Sequence, residues 1–326
     1  MKVLITGKGG QLAWELEQAT PSNIEVFAFN ATELDITNSS VVDEIITTYQ
    51  PDVVINAAAY TAVDRAETDE LAYKVNRDGS EYLATACKGV GAKLIHVSTD
   101  FVFDGTKTTP YQTDDLPNPI NAYGDSKLQG DVKISQILGG RATIIRTAWV
   151  YSVNGNNFVK TMLRLMAEKD QLGIVYDQVG TPTWAKGLAK MIWVLIDARS
   201  DNRDLSGENL IPSSEASSNL VSGESTILHW TDAGIASWYD FAVAIQDLAV
   251  EKGLLDKAIP IRAIPASSYP TPAERPSFSV IDKTTAEQAS GVETIHWRQQ
   301  LSDMMDELKQ NTEQSPNKGV AAEPQK

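Results

Sequence analysis

The stretch NAYGDSKLQG, residues 121–130, sets Tyr123 and Lys127 four positions apart. On a helix that spacing brings both side chains to one face. Most such pairs are surface neighbours without chemistry, so the spacing needs company. A phenol can give a proton to the alkoxide left when a hydride reduces a ketone. With a pKa of about 10 it is poorly matched to neutral pH. A lysine ammonium alongside favours tyrosinate, and so does the positive ring of an oxidised nicotinamide. The same lysine can hold ribose hydroxyls. The company is HVSTDFVFDG, where Ser98, Thr99 and Asp100 end an apolar run. In an open parallel sheet, ligands bind beyond the carboxyl ends of the strands. Thr99 there could hydrogen-bond a carbonyl oxygen and orient it, a hydroxyl sufficing for a transient oxyanion.

A second constellation lies at the start. ITGKGGQL places Gly7, Gly9 and Gly10 between a first strand and a first helix, with Ala13 as the last small residue. Glycine permits positive φ and lets the backbone approach a pyrophosphate. The helix N-terminus adds free N–H groups and partial positive charge. A tight turn alone would need less, and this context is that of a dinucleotide site. FAFNATELD, at the end of the second strand, offers Asn30, with no acid immediately there and no arginine for a 2′-phosphate. NADH and NADPH therefore both remain open as cofactors. Asp35 and Ile36 follow, and could lie beside an adenine. Ala57, Ala58 and Ala59 end the third strand and are small enough for a cofactor to lie across them.

The elements that must position these groups alternate. KVLITG, IEVFAF, PDVVINAAA, AKLIHVSTD and ATIIRTAWVY read as strands. QLAWELEQA, SSVVDEIITTYQ (opened by a serine cap) and DELAYKVNRDGSEYLATACKGVG read as helices between them. Apolar strands separated by helices predict an α/β protein with a Rossmann-like, doubly wound parallel sheet. Later segments read as amphipathic helices (NNFVKTMLRLMAE, WAKGLAKMIWVLID, SWYDFAVAIQDLAVEKG) and short strands (LGIVYDQ, TILHWTD). The expected organisation is a dinucleotide-binding domain at 1–150 and a smaller, mainly substrate-binding domain at 151–310, with later segments crossing back. A polar surface insertion is expected at 200–226 and a disordered tail at 311–326.

Bulk properties narrow the class. The 326-residue chain is 42% hydrophobic, with net charge −15, so nucleic-acid binding is not expected. No apolar run reaches membrane-spanning length. The start MKVLITGKGG lacks the pattern of a secretory signal, and Cys87 is the only cysteine, which fits a cytoplasmic protein. His96, His229 and His296 are too dispersed for a metal cluster and read as structural.

Taken together, the chain resembles the extended short-chain dehydrogenases/reductases, and within them the dTDP-4-dehydrorhamnose reductase family. The matching stretches are GKGGQLAWEL, NAAAYTAVDRAE, STDFVF, YGDSKLQGD, RTAWVYS, NNFVKTMLRL, DQVGTPTW and SYPTPAERPSFSVID. The resemblance implies NAD(P)H-dependent reduction of the C4 keto group of a dTDP-sugar, dTDP-4-dehydro-L-rhamnose, as the last step of dTDP-rhamnose synthesis. It assigns Tyr123 as proton donor, Lys127 as its tuner and ribose ligand, and Thr99 as carbonyl orienter. It puts Gly10, Gln11, Leu12, Asp35, Ile36, Ala59, Tyr60 and Thr61 on the cofactor, beside Gly7 of the glycine turn, and Thr99, Asp100 and Trp149 on the substrate. Trp149 could instead be a core tryptophan. Arg275 is a candidate for the diphosphate, or a surface arginine.

Some members of that family hold magnesium with glutamates at a dimer contact. Glu15 matches one ligand, but Lys186 stands where another glutamate would be, and a lysine repels a hard cation. No metal is expected, and the partners expected are the dTDP-sugar and at most a second copy of the chain. Rival readings are weaker. A 4,6-dehydratase needs a base where this chain has Phe101. An epimerase would use the same Tyr and Lys while retaining its NAD. A non-catalytic subunit like the regulatory one of methionine adenosyltransferase would not need every catalytic position filled.

Overall fold

The structure is a computed structural model that describes residues 1–200 and 225–314. Its centre is a six-stranded parallel sheet. Strands β1 (Lys2–Thr6), β2 (Glu25–Phe29), β3 (Val53–Asn56), β4 (Lys93–Thr99) and β5 (Ala142–Thr147) are joined by an edge strand, Thr226–His229. The order across the sheet runs from the edge strand through β5, β4, β3 and β1 to β2. The winding reverses between β1 and β3, and that switch point opens a crevice at their carboxyl ends.

Alternation along each strand divides its side chains between two cores. Val3, Ile5, Val53, Ile55, Ile95 and Ile145 face one side, against the helices Gln11–Gln18 and Ala185–Ser200. Leu4, Val54, Leu94 and Ile144 face the other, against Ser39–Tyr49, Gly79–Val90 and Ala122–Leu138. Both faces are covered, as an all-parallel sheet demands. A third core gathers Tyr151, Met162, Trp184, Phe241, Leu301 and Met304 from Phe158–Glu168, Trp238–Glu251, Trp297–Gln314 and the loops between them.

The α/β sheet and its helices form where the pattern places them, with three local differences. The helix Ser39–Tyr49 is capped by Asn38, whose side chain accepts from the N–H groups of Ser40 and Val41, so Ser39 is its first residue rather than its cap. The long third helix is interrupted by a π-turn at Lys74–Asp78. The last helix runs on to Gln314, into the segment expected to be disordered. The rest of that tail, and nearly all of the insertion expected at 200–226, lie outside the described residues. Among the described residues, no helix is long and apolar enough to cross a membrane.

The junction between the sheet layers and the third core is polar. Asp232 is buried, its Oδ2 accepting from the Trp184 backbone N–H at 2.9 Å and its Oδ1 3.5 Å from Gln300 Nε2. Burial pushes its carboxyl up to about 7. The folded state therefore holds a proton that the unfolded chain releases near its ordinary value of 3.8. Stability from this group is present at low pH and lost as pH rises through that window. Asp232→Asn is expected to be more stable than the wild type at about pH 8, by on the order of a few kcal/mol, and to lose that advantage near pH ~4. Urea unfolding at the two pH values checks this. A variant no more stable at the higher pH would show that the carboxyl is not raised.

Candidate active site

The crevice at the switch point is built first by glycine. Gly7 has φ +78°, and a Cβ there would come within 2.8–2.9 Å of the Ala57–Ala58 backbone. Only glycine lets the first turn lie this close over the end of β3. Gly9, with φ +87°, faces open space, and Gly10 caps the helix Gln11–Gln18 in extended conformation. The first N–H groups of that helix are free of intrahelical partners and point into the crevice. The cradle fits a dinucleotide phosphate. Side chains there have other work. Gln11 accepts from Asn157 Nδ2 at 3.0 Å, and Leu12 is buried in the core. Only the backbones of these two residues are left to face the crevice.

The remaining cofactor candidates are spread along the same rim. Asp35 is exposed with its Oδ1 accepting from Thr37, while Ile36 turns inward over Gly79. Ala59 and Tyr60 are half-buried, and Thr61 is exposed. Tyr60 is clamped at both backbone groups by Asn76, whose Oδ1 accepts from its N–H at 2.9 Å and whose Nδ2 donates to its carbonyl at 3.1 Å. Asn76 Nδ2 also donates to Ser126 Oγ on the tyrosine helix. This asparagine, on the π-turn, ties the rim at Tyr60 to the helix Ala122–Leu138, and nothing in the sequence pattern marked it.

The helix Ala122–Leu138 delivers Tyr123 and Lys127 to the ends of β4 and β5. Asn121 caps it, accepting from the Gly124 N–H at 2.8 Å and donating through Nδ2 to the Glu274 carbonyl. Gly124 permits close contact with the turn Asp100–Val102 that follows β4, because a Cβ there would sit 2.1 Å from the Phe101 carbonyl oxygen. Gly124→Ala is expected to cost about 1–3 kcal/mol through overpacking. It should also push Tyr123 away from Thr99. Urea unfolding measures the first effect, and an unchanged midpoint would mean the contact is looser than this.

Tyr123 is half-buried, edge-on to Phe101 with ring centroids 5.7 Å apart. Burial pushes its phenol up to about 12, aided by the charges of Asp100 and Asp131 and opposed by a hydrogen bond with Thr99. Lys127 is not among the groups acting on it in the chain by itself. The lysine is buried and donates to the Val97 carbonyl at 2.7 Å.

Thr99 Oγ1 donates to Asp100 Oδ1 at 3.0 Å and accepts from the Phe101 N–H at 3.2 Å. Asp100 is buried with Oδ2 unpartnered, and burial raises its carboxyl to about 6. Trp149 has φ +47°, an uncommon backbone for a bulky residue and one that concentrates at functional sites. Its indole stacks on Trp238, with centroids 3.5 Å apart, and its edge lies against Gly180. One of its faces is covered, so a ligand ring would have to use the other. Arg275 is not free. Its two terminal nitrogens meet the Asp64 carboxylate at 3.0 and 2.9 Å, and a diphosphate would have to compete with it. Glu15 is buried and accepts from Ser152 Oγ and Trp184 Nε1, while Lys186 pairs with Glu307 at 2.6 Å.

Beneath Lys127 lies a buried polar layer that sequence reading missed. Asp131 Oδ2 accepts from Ser98 Oγ at 2.8 Å and stands 3.8 Å from Arg146 Nε. His96 Nε2 is 3.2 Å from Lys127 Nζ and 3.6 Å from Asp131 Oδ1. The signal was there: Lys127 and Asp131 stand one helical turn apart, and His96 and Ser98 share a face of β4.

The family model described as RmlD substrate binding domain matches residues 1–310. A dTDP-4-dehydrorhamnose reductase of Aggregatibacter actinomycetemcomitans is 40% identical over 309 residues, spanning 93% of this chain and 98% of that one. The crystal structure of a dTDP-4-dehydrorhamnose reductase from Clostridium acetobutylicum superposes with a TM-score of 0.82 at 38% identity, over 95% of this chain and 100% of that one. One from Bacillus anthracis, in complex with NADP, gives 0.81 at 31% identity, over 94% and 99%.

Proposed function

From the premise that this chain belongs to the RmlD family of dTDP-4-dehydrorhamnose reductases, we propose that it reduces the C4 ketone of dTDP-4-dehydro-L-rhamnose to give dTDP-L-rhamnose, with NADPH as reductant. The observation that carries this reading is the hydrogen bond between Thr99 and Tyr123 at the carboxyl end of β4, with Lys127 buried one helical turn on from the tyrosine. The relative in complex with NADP supports the choice of cofactor.

In this reading the Gln11–Gln18 helix start and Gly7, Gly9 and Gly10 hold the pyrophosphate through backbone N–H groups. The strand ends at Ala57–Ala59, with Tyr60, Thr61 and the Asp35–Ile36 backbone, line the remainder. When bound, the reduced nicotinamide supplies the hydride. Thr99 orients the ketone oxygen, and Tyr123 gives that oxygen its proton. A phenol held near 12 starts loaded, and an alkoxide is still the stronger base. Trp149 offers its uncovered face to the sugar or base. Asp100 borders the same pocket, and Arg275 reaches the diphosphate only by leaving Asp64. The residues before about 150 serve the cofactor and most of those after it the substrate, with Ala185–Ser200 and Thr226–His229 returning to the first group. All the residues assigned come from one chain, so the reading needs no second copy. A cytoplasmic location belongs to the same reading, consistent with the single, buried Cys87.

The test is loss of reduced-nicotinamide absorbance on mixing the protein with dTDP-4-dehydro-L-rhamnose and NADPH or NADH. Stoichiometric oxidation is expected, faster with NADPH. No oxidation by folded protein would remove the substrate assignment, and other nucleotide ketosugars in the same assay would then identify a sister reductase.

A further inference from the structure

Three neighbouring positions in sheet register form a polar row on the face that carries the catalytic helix. Thr6 on β1 pairs with Asn56 on β3, and Asn56 pairs with His96 on β4. All three side chains are buried, at 1%, 0% and 0% exposure. Buried polar groups of this kind are hydrogen-bonded, and their donor directions can be worked out from one fixed end. The fixed end is the Ala58 backbone N–H, which can only donate. It lies 3.2 Å from Asn56 Oδ1 and 3.3 Å from Thr6 Oγ1. The Thr6 hydroxyl also donates to Asn56 Oδ1, at 2.7 Å. The oxygen of the amide must therefore face this way, since the opposite orientation would set an NH2 group against an N–H. Asn56 Nδ2 is left facing His96 Nδ1 at 3.0 Å, and it can only donate. Nδ1 is thus the bare, accepting nitrogen of a neutral ring. The ring proton lies on Nε2, the atom 3.2 Å from Lys127 Nζ.

We propose that His96 is a positioning residue for Lys127: the chain from Ala58 through Asn56 fixes its tautomer, and the Nε2–H, aimed at the lysine nitrogen, favours amine over ammonium. An ammonium has no lone pair and would meet that N–H donor to donor. An amine accepts it, donates to the Val97 carbonyl, and keeps one N–H for the crevice. The other groups around the lysine divide. Asp131, one turn along the same helix, favours the charged form and competes for the Nε2–H from 3.6 Å. Arg146 on β5 draws on Asp131 from beyond it. Tyr123 lies on the helix above, with Asp100 acting on its phenol. Burial already brings Lys127 down to about 8, and holds His96 well below its usual value, so that the ring stays neutral. Lys127 becomes a group that changes its proton content near working pH. His96 sets where that happens, and with it the alkaline limb of the reduction. Only this last consequence rests on the reductase reading.

The experiment is nitrogen–proton NMR of the ring tautomers in the full chain at neutral pH. The chain has three histidines, and His96→Gln identifies the His96 signals. A proton on Nε2 is expected, and a proton on Nδ1 would overturn the proposal. Lys127 is then titrated through isotope-labelled lysine in wild type and two variants. Asn56→Asp gives the ring an acceptor at Nδ1 and reverses its tautomer. Asn56→Ala frees the ring without adding charge. Both should move the Lys127 titration upward, by about one pH unit in the first. An unmoved titration in both, or a shift in Asn56→Asp alone (which charge by itself explains), overturns the coupling. None of these readouts needs substrate. A protein that oxidises no cofactor with any ketosugar, yet shows the Nε2 proton and both shifts, would lose the reductase reading and keep this one.

Discussion

Tyr123→Phe lowers kcat for NADPH-dependent ketosugar reduction by about a hundred- to ten-thousand-fold, with KM little changed, if the phenol is the proton donor. The replacement removes one oxygen and keeps the ring, including its edge-on contact with Phe101. Cofactor and sugar binding should therefore survive. Water can still protonate the product oxygen, so the loss is large but finite. The direction of the pKa shift sharpens the expectation. Burial holds the phenol near 12, so wild-type activity should show no limb from tyrosine ionisation between about pH 6 and 9. Steady-state rates from nicotinamide absorbance check both points. A variant within about threefold of wild type would take Tyr123 out of the chemistry.

The second large effect is on stability. Asp131 is 3% exposed and faces three basic groups: Arg146, Lys127 and the His96 ring. Arg146 is equally buried, with Nε and Nη1 lacking any other partner. Asp131→Ala leaves the buried Arg146 guanidinium, and Lys127 whenever it is charged, without their counter-charge. Breaking a buried pair in this way costs about 3–5 kcal/mol. Arg146 also lies over the Phe103 ring, at 5.2 Å, which softens but does not replace the lost charge. Arg146→Met in the same chain should recover much of the loss, because it removes the stranded charge and keeps an apolar stem. Urea unfolding of wild type, single and double variants gives the three values. A single variant less than about 1 kcal/mol below wild type would mean that water already neutralises the cluster.

Much of this architecture was legible because burial on both sides of a parallel strand leaves a plain trace. Val3–Ile5, Val53–Ile55 and Leu94–Ile95 are apolar at every step, and each such run ends where chemistry begins. The glycine turn was legible for the same reason that it works, since few other residues tolerate φ near +80° against a neighbouring backbone. What stayed hidden depends on register. His96 reads as a core histidine until β3 and β4 are aligned, when it falls beside Asn56 and above Asp131. The raised phenol was hidden too: spacing puts Lys127 near Tyr123, but cannot say that the lysine nitrogen turns to the Val97 carbonyl. Arg275 shows the converse limit. Its type suits phosphate, and only the fold reveals that Asp64, distant in sequence, already holds it.

The return of Thr226–His229 to the edge of the sheet, and of Ala185–Ser200 to its face, has a consequence for how such a chain can be rearranged. A chimera that joins the first 150 residues to the second half of a relative would inherit a foreign edge strand and a foreign packing helix. Leu188, Ile192 and Trp193 would have to mesh with Leu12 and Leu16 of another lineage. Exchange of the second half by crossover, in the laboratory or in evolution, is therefore confined to blocks that carry both returning segments with the sheet they complete.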